Sequence, residues 1–144
     1  MQSALDQLHV SINRGRDLIA VHNSVKAQST LALDLSDILR AALVLSVSAL
    51  DFYVHEVVCF GMLEVHQGLR PEPPAFSRFQ ISLGSAREGI NVALNINYWL
   101  EDEIRQRHSY QSFQQPDKIA AAIRLISDKK LWQEVANVMN RPVR

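Results

Sequence analysis

One segment limits what this chain can fold into. It begins at Asp34 or Ser36, either of which can cap free helical N–H groups, and runs to about Gln67, beside the stop signal Gly68. Some 30 residues at about 1.5 Å each make a rod of roughly 45 Å. From Ala41 to Leu50 this rod is apolar nearly all round, so other helices are expected to surround it. Asp51, His55 and Glu56 then interrupt the run, whereas a membrane span needs roughly 18 or more apolar residues with few charges. The segment reads as the long central helix of a soluble bundle, with no membrane as partner.

The rest of the chain follows the same period. Ser3 to about Lys26 carries Leu5, Leu8, Ile12, Ile19 and His22 at helical spacing, with Leu18, Val21 and Val25 widening the stripe. Leu31 and Leu33 are expected to pack locally in the connection that follows. Three of the five prolines, Pro71, Pro73 and Pro74, fall in the loop after Gly68, and Phe76 and Phe79 are expected to tuck back against the bundle. A third helix is predicted from about Ser85 to His108, with Ile90, Leu94, Tyr98 or Trp99, and Ile104 turned inward. Pro116 suits the first position of another helix, which carries Ile119, Ile123 and Ile126. Ser127 or Asp128 can cap a last one through Leu131, Val135 and Val138, with Pro142 ending the pattern. No period-2 alternation lasts long enough for a sheet. The expected fold is all-α: a bundle of four to five mostly antiparallel helices with one long central helix, in a single domain over residues 1–144.

Fifteen Lys and Arg balance fifteen Asp and Glu. A neutral chain lacks the simplest case for nucleic-acid binding, a strongly basic domain, and leaves room for a local patch only. The single cysteine, Cys59, excludes an internal disulfide and a Cys-rich zinc site, and fits a reducing compartment. The start Met1-Gln2-Ser3-Ala4-Leu5-Asp6-Gln7 lacks the basic residues and apolar run of a signal peptide, so the expected location is the cytoplasm.

Two constellations carry possible chemistry. Arg40, Asp51 and His55 fall on nearly one azimuth of the long helix, since eleven residues return to the starting face and four come close to it. This polar line reads either as the support of a catalytic or phosphate-binding cleft, or as a polar network that fixes helix packing. In the first helix, Arg16-Asp17-Leu18-Ile19-Ala20-Val21-His22 places an Arg six residues before a His. Arg can grip a phosphate at two points and His can move a proton near neutral pH, but the two stand about 9 Å apart along the axis and about 120° around it. They meet at one phosphate only across a cleft or a dimer interface; otherwise His22 belongs to the core stripe. His9, His66 and His108 form no metal-ligand spacing, no phosphate-cradling glycine loop occurs, and no metal or cofactor is expected. Arg105-Gln106-Arg107-His108 is a small basic cluster at a helix end, and Tyr98, Trp99 and Trp132 read as core.

The run from Asp34 to Val58, with its Ala41-Ala42-Leu43-Val44-Leu45 and Leu50-Asp51-Phe52-Tyr53-Val54-His55-Glu56 segments, resembles the long helix of HEPN-type domains, most closely the bacterial RiboL-PSP-HEPN group. Ser112-Phe113-Gln114-Gln115-Pro116-Asp117-Lys118-Ile119, followed by Leu131-Trp132, is similar to the same group. The resemblance covers about Leu33 to Trp132. It implies a helical homodimer and a metal-independent ribonuclease of toxin–antitoxin or defence type, with an antitoxin or other protein as further partner. The alternative is a non-catalytic dimerisation module that binds a nucleotide, RNA or protein. The active-site motif implied is Arg, a polar residue, a few positions, then His, near the end of the domain. After Trp132 the sequence holds no such motif and closes on Asn140-Arg141-Pro142-Val143-Arg144, which implies either a chain cut before the motif-bearing helix or a member without it. Arg16 and His22 match the spacing alone.

Overall fold

The computed structural model describes residues 2–29, 34–91 and 96–140, without the side chains of Glu88, Ile90 and Asn91. Six α-helices occur among them, with no strand: α1 Gln2–Gln28, α2 Ser36–His66, α3 Leu83–Asn91, α4 Ile96–Ser109, α5 Pro116–Ile123 and α6 Leu131–Met139, plus a 3-10 turn at Phe76–Arg78. The all-α architecture is as expected, with one helix more than the upper count. The helix expected from Ser85 to His108 is described as two, α3 and α4. Leu31, Leu33, Leu94, Pro142 and the Ile90 side chain lie outside the described residues.

The helix ends follow local chemistry. The Asp34 carboxylate accepts the Ser36 N–H at 2.9 Å, which opens α2 and holds that carboxyl below its ordinary range. Gly68 closes α2 at φ 73°, a backbone conformation that costs other residues a Cβ clash. With Gly68 turned this way, the Leu69 N–H reaches back to the Glu64 carbonyl at 2.9 Å. Pro116 opens α5 as expected. The last helix starts later than Ser127 or Asp128 predict. Leu125 and Ile126 wind on in a tight turn, the Ser127 hydroxyl accepts the Lys129 N–H, and Lys130 becomes the residue before α6.

The chain groups into two compact units, Met1–Tyr53 and Val54–Arg144, the division falling within α2. In the first unit, α1 and the start of α2 approach through small residues. A Cβ on Gly15 would stand 2.9 Å from the Ser46 hydroxyl, and Ala42 and Ala49 are buried beside it. Ala42, Ser46 and Ala49 lie at helical spacing on one face, so their large neighbours point elsewhere. Leu43 and Val44 are therefore 64% and 63% exposed, and Leu39 and Leu50 are exposed too. This overturns the expectation that Ala41–Leu50 is surrounded. In α1, His22 is buried with Ala4 and Gly15, while Ile19, Val21 and Val25 are exposed. By length and composition α2 also has the makings of a membrane span, with mean hydropathy 1.6 over 18 residues.

The second unit holds the larger core. Val54, Val58, Cys59 and Met62 of α2 pack with Leu100 and Ile104 of α4, Phe113 of the connection after it, Ile119 and Ala122 of α5, and Ile126. Phe76, Phe79 and Trp99 lie against this core, so the two phenylalanines tuck back as expected and Trp99 is the inward choice over Tyr98, which is 75% exposed. Trp132 is half-exposed instead of core; its indole N–H donates to the Pro116 carbonyl at 3.0 Å and ties α6 to α5. Arg105 bridges Glu56 and Glu101, and Arg70 donates twice to Glu64, at 2.6 and 3.1 Å.

Gly61 fixes the distance between α2 and the turn after α5. A Cβ there would stand 2.8 Å from the Ile126 side chain, closer than packed carbons come. Gly61→Ala is expected to lower unfolding free energy by about 1–3 kcal/mol through overpacking, despite Ala's better helix propensity. Urea unfolding followed by circular dichroism checks this, and an unchanged or raised midpoint would show that Ile126 yields freely.

Candidate functional site

Three parts of the second unit meet at an open cleft of about 560 Å³: the 3-10 turn with the residues after it, the end of α4, and α5. Arg78 closes the 3-10 turn, Arg107 and His108 stand in the last turn of α4, and Lys118 stands in the first turn of α5. Arg78, Arg107 and Lys118 are exposed and line the cleft, and among the described residues no carboxylate lines it with them. Among the described residues none of these three cations enters an ion pair. Tyr110, 93% exposed, and Gln80 and Gln111 complete the polar margin. Below them lie Phe79, Ala122 and Leu125, which also belong to the core or pack against it.

His108 connects margin and core. It is 3% exposed, and its Nδ1 is buried with no hydrogen-bond partner among the described residues. Its ring meets Phe79 and Phe113 edge-on, at centroid distances of 6.0 and 5.6 Å, and lies 6.1 Å from His55. Phe113 also packs 4.5 Å from the His55 ring. An unpaired buried nitrogen costs about 1–3 kcal/mol, so its retention beside a cleft calls for a reason. Burial, with smaller contributions from His55 and Arg107, pushes His108 down to about 4. At neutral pH the imidazole is uncharged and a poor general acid.

The residues singled out in the sequence are dispersed. Arg16 is exposed and donates to Asn13 at 3.3 Å, whereas His22 is buried with its Nδ1 3.1 Å from the Asn23 side-chain oxygen. The helix keeps them on different faces. Arg40 is exposed and paired with Asp37 at 2.7 Å, some 22 Å along the α2 axis from His55. Asp51 and His55 remain half-buried one turn apart, and of the proposed polar line His55 is the member beneath the cleft. The sequence signalled one wall of the cleft in Arg107-His108 at a helix end. It held no local sign of Arg78 and Lys118, which only tertiary packing brings there.

No group of three His, Cys, Asp or Glu side chains capable of holding a metal occurs among the described residues. Burial pushes the Cys59 thiol up to about 11, so it is not a thiolate at neutral pH. No protein-family model, curated protein or solved structure matches this chain. A smaller recess, about 190 Å³ in the first unit, is lined by Leu8, Leu45, Ala49 and Phe52 with Gln7, Ser11 and Ser48, none of them charged.

The depressed His108 value makes stability pH-dependent with a definite sign. Between about 4 and the ordinary 6.5 the unfolded chain binds the proton and the folded chain does not. Stability therefore falls as pH drops through that window, by up to ~1.4 kcal/mol per pH unit from this group. Urea midpoints measured from pH 7 to 4 are expected to decline, and less steeply in His108→Phe. Equal slopes for the two proteins would show that His108 is not the group responsible.

Proposed function

We propose that this chain is a HEPN-type helical module that binds single-stranded RNA in its cationic cleft without cleaving it. The observation that carries this reading is the convergence of Arg78, Arg107 and Lys118, free of carboxylate partners among the described residues, beside the exposed Tyr110. A cationic groove with an aromatic ring alongside is the recurring chemistry of single-strand binding, phosphates meeting the charges and bases stacking on the ring. The separation of Arg16 from His22 and the uncharged state of His108 favour binding over cleavage. The lone, buried Cys59 supports a cytoplasmic setting, and the family resemblance suggests a bacterial toxin–antitoxin or defence context.

A second reading, a homodimerisation or partner-binding module, is favoured by the exposed Leu39, Leu43, Val44 and Leu50 on the start of α2. The two readings are compatible, since these residues and the cleft belong to different units.

Fluorescence anisotropy with a labelled RNA decamer tests the first reading. Affinity is expected to fall as salt rises from 50 to 200 mM, and replacing Arg78, Arg107 and Lys118 together by Ala is expected to weaken binding at least tenfold. The same change should lower the slope of log affinity against log salt by roughly 2, about 0.7 for each phosphate no longer neutralised. Binding unchanged in the triple variant would sink the assignment to this cleft. The decamer is expected to remain intact with chelator present, and its cleavage would restore the ribonuclease reading.

A further inference from the structure

The cleft has more in it than a phosphate track requires. Its margin is cationic, but beneath lie Phe79, Ala122 and Leu125, and a buried imidazole with one nitrogen unpaired among the described residues. Phosphates gain nothing from an apolar floor. An aromatic, planar group with polar atoms at its edge gains from both features. We propose that the cleft is a single-nucleotide pocket, in which one base leaves the stack and lies on the Phe79–Leu125 floor with its edge hydrogen-bonded to His108 Nδ1, while Arg78, Arg107 and Lys118 hold the adjoining phosphates. This rests on the RNA-binding reading and adds to it a pocket for one base and a residue that reads it.

Three observations lead to this assignment. The cleft, about 560 Å³, falls in the size range of small-ligand sites, roughly 300–1,000 Å³, and is larger than bound phosphate alone would fill. The His108 ring is held by edge contacts to Phe79 and Phe113, so its nitrogens keep a fixed direction. Its neutrality at pH 7 gives it one donor and one acceptor nitrogen, which suits a base edge; a charged imidazolium would instead compete for phosphate with the three cations. Nδ1 has no contact with solvent, so the base reaches it by displacing part of the packing on the ring, of which Phe79 is the member that lines the cleft. That displacement favours a base whose edge satisfies the nitrogen over one that does not, because an unsatisfied buried pair is the costly outcome.

The experiment compares an RNA decamer with a ribose-phosphate decamer of the same length that lacks bases. The RNA is expected to bind at least tenfold tighter. Ala121→Trp fills the cleft from an exposed position of α5 and should bring RNA down to the affinity of the abasic strand. His108→Phe keeps the ring and is expected to reduce the spread of affinities among A, C, G and U homopolymers to less than threefold, with folding checked by circular dichroism. Equal affinity for RNA and abasic strand, or an Ala121→Trp protein that binds RNA as before, would overturn the base pocket and leave the RNA-binding reading standing. An unchanged homopolymer spread in His108→Phe would overturn the role given to His108. Failure to bind either strand would remove the RNA-binding reading itself.

Discussion

Phe113 is the side chain on which the second unit depends. It is fully buried, and it sits against His55 of α2 and His108 of α4 while joining the cluster that holds Ile104, Ile119 and Met62. It lies in the short connection between α4 and α5, so its burial draws that connection inward and sets α5 against the end of α4. The consequence is chemical as well as mechanical. The ring that closes the core also strips water from His108, and the connection that it anchors brings Lys118 to the same opening as Arg107. A polar substitution at Phe113 would thus loosen packing and re-solvate the imidazole together.

The helical character, the cap at Asp34, the stop at Gly68 and the start at Pro116 were all legible, because each depends on residues adjacent in the chain. The inward turn of Phe76 and Phe79 was legible from their place after a proline loop. What sequence could not rank was burial along α2. Composition made Ala41–Leu50 the obvious core, yet close helix approach selects small side chains, and Ala42, Ser46 and Ala49 took that face opposite Gly15. The larger aliphatic groups of the same turns were left outside. The bulky core begins at Val54, where Val58 and Met62 meet large partners from distant segments.

The candidate site was legible in one wall only. Arg107 and His108 announce a basic helix end, but a helix end is ordinarily solvated, and nothing near them names Arg78 or Lys118 as neighbours. Spacing drew attention instead to Arg16 with His22 and to Arg40 with Asp51 and His55. Side chains six residues apart stay on different faces, and of the line on α2 Arg40 and Asp51 belong to the first unit and His55 to the second. Of these five, His55 adjoins the cleft residues, through its ring packing with Phe113 and His108.

A chain of zero net charge still presents a cationic opening because its charges are sorted by partner. In the second unit Glu56 and Glu101 share Arg105, whose guanidinium is thereby held well above its ordinary value, and Glu64 takes Arg70. These carboxylates are engaged away from the cleft, so they do not offset Arg78, Arg107 and Lys118. The local field there is positive whatever the total. Burial keeps the proton off His108, and the charges add to it: a protonated ring would be a positive charge in a dry site, with His55 close by and Arg107 beside it. A base edge bonded to the neutral imidazole would hold His108 uncharged, so occupancy of the cleft and the neutrality of its histidine favour each other, and a proton taken up at low pH opposes both.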